Sequence, residues 1–268
     1  MSETQTRTVL VTGASAGIGQ ALARQFAAAG HDLVLVARRA DALRALAEEL
    51  RARHGVRAVD LPLDLAQARA ADALLVALEQ RQLSVDILVN NAGVLEAGAF
   101  RLANPEDLER MIQLNVSALT LIARALLEPM VSRGWGRILN VASVAGFQPV
   151  PGLATYAATK AFVLALTEAM SEELKGTGVT VTALCPGITD TEMAQRVNDV
   201  NPALAIPPAF MSSVEAVARE GFEATMKGEV IRVPGLANRL GTLWTQVQPR
   251  WLVRTLGGIV GRRLLADR

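Results

Sequence analysis

Apolar runs rich in valine, isoleucine and leucine recur along the chain and are separated by stretches of helical length. Because these runs are apolar on both faces, they are typical of buried parallel strands. The stretches between them carry helix signals, since Asn104 followed by Pro105 predicts a helix start and recurring glycines predict helix ends. The pattern predicts seven strands, at residues 8–12, 32–37, 56–63, 86–90, 137–142, 179–185 and 230–233.

The regular alternation of strand and helix predicts an α/β fold, a doubly wound parallel sheet of about seven strands with helices on both faces. No linker rich in Pro, Gly or Ser and no fixed repeat interrupts the pattern. We therefore assign residues 1–235 to one domain. Residues 236–268 form an extension of different composition, with six arginines, one acidic residue and two of the three tryptophans.

Composition narrows the classes of protein to consider. The 268 residues are 51% apolar and 20% charged, which excludes a disordered chain, and the net charge of +1 makes nucleic acid an unexpected partner. The single cysteine, Cys185, forms no intrachain disulfide or cysteine-based zinc site, and we expect no metal. The first residues lack an apolar signal core, and the longest uncharged stretch, 138–159, contains prolines and polar groups unsuited to a membrane span. A cytoplasmic protein is expected.

The first predicted strand runs into a glycine-rich turn, TGASAGIG at residues 12–19, and then into a helix. Glycines at such a turn allow positive φ and close backbone approach, and the helix amino end offers N–H donors to a pyrophosphate. An ordinary tight turn is the alternative. The position after the first strand favours a dinucleotide site, since dinucleotide-binding sheets carry their glycine loop there.

The second strand ends in Ala37, Arg38 and Arg39, where nucleotide-binding sheets often carry an acid for the ribose hydroxyls. Guanidinium groups pair with a 2′-phosphate, whereas a carboxylate repels it. The two arginines therefore favour NADP(H) over NAD(H). The alternative is a solvated basic start to the next helix.

A helix beginning near Asn104 carries one polar residue, Asn115, within an apolar stripe of Leu108, Met111 or Ile112, Leu119, Ile122 and Leu126. An unpaired buried amide is costly, so Asn115 needs partners. These are either a structural backbone contact, which the stripe alone favours, or a water in an active site.

Tyr156, the only tyrosine, is followed four residues later by Lys160, one of three lysines. Helical spacing places both on one face, where an ammonium favours the phenolate and brings proton transfer within range of neutral chemistry. Ser143 follows the fifth strand, at the sheet edge where open α/β folds bind ligands, and can hold a substrate oxygen. An interfacial tyrosine, a solvated lysine and a capping serine are the alternatives for each residue taken alone.

Taken together, these motifs resemble the short-chain dehydrogenase/reductase family, in its compact single-domain, Rossmann-like branch. The resemblance spans residues 8–233 and implies Tyr156 as acid/base, Ser143 polarising the carbonyl, Lys160 binding the nicotinamide ribose and lowering the tyrosine pKa, and Asn115 holding the water of a proton relay. It implies Asp64 at the adenine amine beside Leu65. The remaining cofactor-binding positions are Gly13, Ser15, Gly17, Ile18, Gly19, Arg38, Arg39, Asn90, Ala92, Gly93, Pro186, Gly187, Thr189 and Thr191.

One position departs from the family's NADP-dependent pattern. Many such relatives carry a basic residue before the second glycine of the first loop, and here that residue is Ala16. The preference for NADP(H) then depends on Arg38, with Ser15 and Arg39 as helpers.

We expect an NADPH-dependent oxidoreductase that interconverts a ketone or aldehyde and an alcohol. A cofactor-sensing or scaffold protein without turnover is the alternative, and a homo-oligomer, dimer or tetramer, is expected. The apolar pocket would be formed by Leu95, by residues 144–149 and by a lid at about 190–213 that contains Met193, Val197, Leu204, Ile206 and Phe210.

The extension adds an apolar and basic surface. Basic segments with tryptophan can lie on a membrane or pack over a cleft or a partner subunit, and we expect packing. Its apolar residues are Leu236, Leu240, Leu243, Trp244, Val247, Trp251 and Leu252.

Overall fold

The computed structural model describes residues 6–191 and 211–265. Seven parallel strands form one sheet in the order β3-β2-β1-β4-β5-β6-β7, which confirms the predicted doubly wound architecture. The predicted bounds agree to within about two residues. The strands are β1 (Thr8–Thr12), β2 (Asp32–Ala37), β3 (Ala58–Pro62), β4 (Ile87–Asn90), β5 (Gly136–Val141), β6 (Val179–Leu184) and β7 (Ile231–Arg232).

Nine α-helices occur in the described residues. Seven of them flank the sheet or connect its strands, and two follow β7. They are α1 (Gly17–Ala28), α2 (Ala40–His54), α3 (Ala70–Gln80), α4 (Pro105–Ile112), α5 (Leu119–Ser132), α6 (Ala154–Glu173), α7 (Val214–Lys227), α8 (Leu236–Val247) and α9 (Arg250–Leu265).

The helix ends follow from local sequence. Asn104 caps α4 by accepting a hydrogen bond from the Glu106 N–H at 3.0 Å, with Pro105 in the first position. Gly55 and Gly228 end α2 and α7, as predicted. Helices α1, α2 and α7 cover one face of the sheet, and α3, α5 and α6 cover the other.

The predicted helix through Asn115 is not one regular helix. Residues Gln113–Ala118 adopt a π-helical turn between α4 and α5. Before this turn, at the end of α4, Met111 is fully buried while Ile112 is exposed, which decides between the two candidates for the buried stripe. The combined stretch Pro105–Ser132 is long and apolar enough to cross a membrane by length and composition, but 44% of its most apolar window is buried inside the fold.

Helices α8 and α9 do pack against the domain, but not through the predicted apolar residues. The contacts come from Thr242 and Val253, which are buried. Six of the seven predicted apolar side chains, all except the half-buried Leu252, are instead exposed. These apolar side chains therefore do not pack over a cleft of their own domain, whereas packing against a partner subunit stays a prediction.

Candidate active site

The glycine loop lies at the carboxyl end of β1 and is held by hydrogen bonds from the β4 loop. The Thr12 hydroxyl accepts from the backbone N–H groups of Asn91 and Ala92, at 2.9 and 3.0 Å. The Asn91 amide donates to the Thr12 and Gly13 carbonyls. Thr12 and Asn91 were absent from the predicted site residues, although both belong to the motifs that were recognised.

Two of the glycines are required by this close contact. A Cβ on Gly19 would lie 2.3 Å from the Asn91 amide nitrogen and 2.4 Å from the Gly13 carbonyl oxygen. Gly13 has φ +66°, and a Cβ there would meet the Ala92 backbone at 2.9 Å. The glycines of the loop thus hold the β1 and β4 loops together.

The first turn of α1 offers a cradle for an anion. Ala16 at its N-cap has no side-chain acceptor, and no acidic residue lies in the first turn. The N–H groups there are therefore available to a pyrophosphate. Thr191 approaches from across the sheet, since a Cβ on Gly17 would lie 3.4 Å from its methyl group. These residues fit a dinucleotide.

Arg38 and Arg39 are both exposed at the end of β2. Arg39 reaches the glycine loop, since its guanidinium donates to the Ser15 carbonyl at 3.0 Å and to the Ser15 hydroxyl at 3.4 Å. The sequence made the preference for NADP(H) depend on Arg38, with Arg39 as a helper. In the structure Arg39 supports the glycine loop, and the charge of Arg38 acts on the neighbouring Asp64.

Asp64, expected at the adenine, is engaged by the protein. Its carboxylate accepts from Arg110 at 3.1 Å and from the Ala66 N–H at 3.1 Å. Burial alone would raise the pKa of Asp64, but hydrogen bonds from Ala66 and Gln67 and the charge of Arg110 lower it below its usual value. The carboxylate is therefore ionised at neutral pH.

Three predicted cofactor residues, Leu65, Asn90 and Ala92, line a small cavity beside Thr12. The Asn90 side chain is buried and donates to the Asn140 side chain at 3.0 Å. The Asn90 amide thus ties β4 to β5, and its cofactor role remains a prediction.

Asn115 lies in the π-helical turn and is buried. Its amide exchanges two 2.9 Å hydrogen bonds with the backbone of Val94 and donates to the Thr159 hydroxyl at 3.2 Å. Both N–H bonds of the amide are therefore used by the protein, which is the structural contact that the stripe alone favoured. The water-holding role stays a prediction.

Ser143, Tyr156 and Lys160 come together at the carboxyl end of β5. The Ser143 hydroxyl accepts from the Ala145 N–H at 3.1 Å, and it is close enough to the Tyr156 phenol to lower the phenol pKa. The buried Lys160 ammonium lies 5.7 Å from the centre of the Tyr156 ring. A Cβ on Gly93 would lie 3.6 Å from that ammonium and 3.2 Å from the Asn115 oxygen. Gly93 thus leaves room for the cluster.

The ionisation of the cluster differs from the expectation. Burial raises the pKa of the Tyr156 phenol, and the neighbouring Ser143 hydroxyl only partly opposes this effect. Lys160 donates to the Val141 carbonyl at 2.8 Å, and burial lowers its pKa to about 8. In this structure the expected lowering of the tyrosine pKa by Lys160 is therefore not observed.

The segment after β6 contains four predicted cofactor residues, Pro186, Gly187, Thr189 and Thr191. The Thr189 hydroxyl donates to the Gly187 carbonyl at 3.1 Å, and that of Thr191 to the Thr189 carbonyl at 3.3 Å. A Cβ on Gly187 would lie 2.4 Å from the amide nitrogen of Asn238 in α8, a contact that the sequence did not predict. Of the expected lid, residues 192–210, including Met193, Val197, Leu204, Ile206 and Phe210, lie outside the described residues.

A nucleotide-binding α/β fold with a Ser–Tyr–Lys cluster defines a class of oxidoreductase, and comparisons agree. The family model described as short chain dehydrogenase matches residues 7–202. A sulfoacetaldehyde reductase from Chromohalobacter salexigens is 42% identical over 186 residues, 69% of this chain and 73% of that protein. The chain belongs to the short-chain dehydrogenase family, whose members act on CH–OH groups and the corresponding carbonyls.

Solved structures give the same assignment. A short-chain dehydrogenase from Sphingobium yanoikuyae in complex with NADPH has a TM-score of 0.79 and 38% identity, covering 88% of this chain and 92% of that one. A bulky-bulky ketone specific alcohol dehydrogenase from Comamonas testosteroni has a TM-score of 0.77 and 33% identity, covering 90% and 91%.

Proposed function

We propose that this protein is an NADPH-dependent oxidoreductase that interconverts an apolar ketone or aldehyde and its alcohol. The observation that carries the proposal is the position of the buried Lys160 ammonium, 5.7 Å from the centre of the Tyr156 ring, at the end of β5 where Ser143 also lies. A protein that only senses a dinucleotide has no use for a proton donor in this position.

The residues that would hold the cofactor are those of the anion cradle at α1 and the polar groups around it. The α1 N–H groups suit the pyrophosphate, and the positive charges of Arg38 and Arg39 suit a 2′-phosphate. The Sphingobium relative crystallised with NADPH supports this preference. Asp64, Thr189 and Thr191 complete the proposed binding site.

The reaction divides between cofactor and protein. A bound NADPH supplies the hydride. Tyr156 donates its phenolic proton to the substrate oxygen, and the Ser143 hydroxyl holds that oxygen in reach. The raised pKa of Tyr156 keeps the phenol protonated at neutral pH, as the reductive direction requires. Lys160, whose ammonium donates to the Val141 carbonyl, would also bind the nicotinamide ribose.

The substrate would lie against an apolar wall next to Ser143. Val144 and Phe147, in the turn that follows Ser143, are half-buried, as is Leu95, and Phe147 packs on a cluster that contains Leu119 and Val163. The Comamonas relative, described as specific for bulky-bulky ketones, supports a large ketone as the substrate. The sulfoacetaldehyde reductase suggests a small anionic aldehyde as the contrasting choice.

We further propose a cytoplasmic homo-oligomer. Leu121 on α5 and Phe162 on α6 are large apolar side chains with 53% and 40% exposure. Burying them between subunits would remove this apolar surface from water.

Purified full-length protein tested with a panel of bulky ketones, small aldehydes and an anionic aldehyde distinguishes these possibilities. We expect NADPH oxidation, followed by its absorbance, to be fastest with bulky ketones. Faster turnover of the anionic aldehyde would contradict the apolar substrate. NADPH binding without turnover of any carbonyl in the panel would favour the sensor or scaffold.

A further inference from the structure

Helix α8 has its amphipathic faces reversed relative to the core. Its inward face is polar, since Thr242 is buried, Asn238 and Thr245 are half-buried, and the Asn238 amide fills the space above Gly187. In an ordinary surface helix of a globular protein the apolar stripe faces the core. The reversed pattern means that core packing does not explain the apolar residues of α8.

The outward face of α8 is strongly apolar. At 3.6 residues per turn its five large apolar side chains fall within an arc of about 100°. Their exposure ranges from 46% for Trp244 to 76% for Val247, and Trp251 at the start of α9 is 61% exposed. Together these six residues form the outer apolar face, composed of Leu236, Leu240, Leu243, Trp244, Val247 and Trp251.

Positive charge surrounds this face. Arg239, Arg250 and Arg254 are exposed beside it. The sequence contains no aspartate or glutamate from residue 236 to residue 265. The outer apolar face is therefore bordered by positive charges, and the same segment of the chain supplies no carboxylate to neutralise them.

We propose that the outer apolar face docks this protein on an anionic membrane surface. Leucine and tryptophan insert at the boundary between headgroups and acyl chains, while arginines contact the lipid phosphates. Helices of 12 and 16 residues are about 18 and 24 Å long, shorter than the roughly 30 Å hydrocarbon core. The helices would thus lie in the plane of the interface.

A second copy of the chain is a poorer occupant of this face. In a two-fold interface the same patch meets itself, so the arginines would face a basic segment that carries no acid to pair with them. Lipid phosphates supply the missing negative charge. Charge complementarity therefore favours the membrane.

The docking surface lies beside the candidate active site. The 3₁₀ turn Val144–Phe147, which follows Ser143, packs against α8. A Cβ on Gly257 in α9 would lie 3.4 Å from the Pro149 carbonyl oxygen. Docking would therefore place the side of the molecule that carries the candidate active site next to the bilayer. Membrane binding itself does not depend on the reaction.

Flotation of the full-length chain tests the proposal. Vesicles of phosphatidylcholine mixed with phosphatidylglycerol are compared with vesicles of phosphatidylcholine alone. We expect binding to the anionic vesicles and release at about 0.5 M salt, where the Debye length falls to a few ångströms. Absence of binding to anionic vesicles at low salt would overturn the proposal.

Two sets of variants separate the apolar and the charged contributions. The variant Leu240→Ser/Trp244→Ser/Val247→Ser should lower the partition coefficient at least about tenfold. Its matched control changes equally exposed residues elsewhere, Val76→Ser/Phe100→Ser/Leu102→Ser, and should bind as wild type. Equal loss in both variants would contradict a specific docking face.

Replacing the three arginines by glutamine should weaken binding to anionic vesicles by about 100-fold, since each basic residue contributes roughly one factor of five. The variant is Arg239→Gln/Arg250→Gln/Arg254→Gln. The control variant replaces three exposed arginines outside α8 and α9, Arg44→Gln/Arg53→Gln/Arg81→Gln, and should retain binding. A loss no greater than that of the control would contradict the role of these arginines.

Tryptophan emission and oligomeric state complete the test. Vesicles should shift the emission to shorter wavelength in the Trp135→Phe variant but not in Trp244→Phe/Trp251→Phe, because Trp135 packs between Arg7 and Arg137. A different outcome would overturn the proposal. If the wild-type protein does not bind vesicles and its oligomer dissociates in the serine triple variant of α8, a second copy of the chain covers the face instead.

Discussion

The Lys160 ammonium lies 5.7 Å from the centre of the Tyr156 ring, yet its hydrogen bond goes to the Val141 carbonyl and not to the phenol. The two side chains are neighbours in different surroundings, since Ser143 and not Lys160 is the group that opposes the burial of the Tyr156 phenol. Burial favours the neutral form of both groups, because it raises the pKa of the Tyr156 phenol and lowers the pKa of the Lys160 ammonium. This separation leads to predictions about proton transfer and about stability.

Tyr156→Phe keeps the ring and removes the transferable proton. We expect carbonyl reduction to fall by about 10² to 10⁴-fold, while the dissociation constant for NADPH changes little. Single-turnover kinetics and cofactor fluorescence measure the two quantities separately. Turnover within threefold of wild type would remove Tyr156 from the role of proton donor.

The raised pKa of Tyr156 predicts opposite pH profiles for the two directions. Reduction needs the protonated phenol, which a raised pKa preserves to higher pH, so kcat for reduction should stay level from about pH 6 to 9. Oxidation needs the phenolate, so its kcat should rise across the same range. A reduction rate that already falls between pH 6 and 7 would show a lowered pKa instead.

Lys160→Met should inactivate the enzyme but stabilise its fold at neutral pH. Burial lowers the pKa of Lys160 from 10.5 to about 8, so below about pH 8 the folded state holds a charge at a free-energy cost. Removing that cost, less the lost hydrogen bond to Val141, should raise the unfolding free energy by roughly 1–3 kcal/mol at pH 7.

The sign of this effect can be checked against pH. Between about pH 8 and 10.5 the unfolded chain binds more protons at Lys160 than the folded chain, so wild-type stability rises and the gain from Lys160→Met shrinks. Urea unfolding at several pH values measures it. The exposed Lys175→Met is the control and should change stability by less than about 0.5 kcal/mol. A gain that grows with pH would contradict the burial of a charged lysine.

The sequence was sufficient to predict the sheet, because buried parallel strands are continuous apolar runs and helix caps have specific residues. Asn104 followed by Pro105 indicates a helix start, and the glycines after α2 and α7 indicate helix ends in the left-handed conformation. The site residues were recognised as ordered motifs. Their positions at strand ends then followed from the fold.

Other features could not be predicted, because they depend on tertiary contacts. The π-helical turn at Asn115 places an amide against the Val94 backbone, which lies 21 residues earlier in the chain. The sequence of residues 236–268 indicated an apolar and basic extension, but neither helix α8 nor the side of it that faces the domain. That orientation depends on small polar groups such as Asn238 fitting over Gly187.

Gly93→Ala tests the space around the site. Its Cβ would lie 3.2 Å from the Asn115 oxygen and 3.6 Å from the Lys160 nitrogen, so the amide must shift by a few tenths of an ångström. We expect kcat to fall about tenfold or more with a stability loss of about 1 kcal/mol. Gly241→Ala, in open space on α8, is the control and should raise stability by about 0.5–1 kcal/mol without affecting kcat. Wild-type kcat in Gly93→Ala would contradict tight packing there.

Arg38 and Arg39 should affect cofactor binding in different ways. Arg39 donates to Ser15 of the glycine loop, so Arg39→Ala should weaken NADPH and NADH together. If Arg38 pairs with the 2′-phosphate, Arg38→Ala should lose roughly 1.5–3 kcal/mol and weaken NADPH by about 10 to 100-fold. NADH lacks that phosphate and should bind Arg38→Ala as it binds wild type.

Ala37→Asp/Arg38→Ala extends this test to an inversion of cofactor preference. The new carboxylate repels a 2′-phosphate and accepts hydrogen bonds from the ribose hydroxyls, so kcat/KM should become higher with NADH than with NADPH. Arg44→Ala, an exposed arginine on α2, is the control and should leave both values unchanged. The wild-type protein is measured first with both cofactors. If its kcat/KM with NADH equals or exceeds that with NADPH, Arg38 does not select the cofactor and is only a solvated charge at the start of α2.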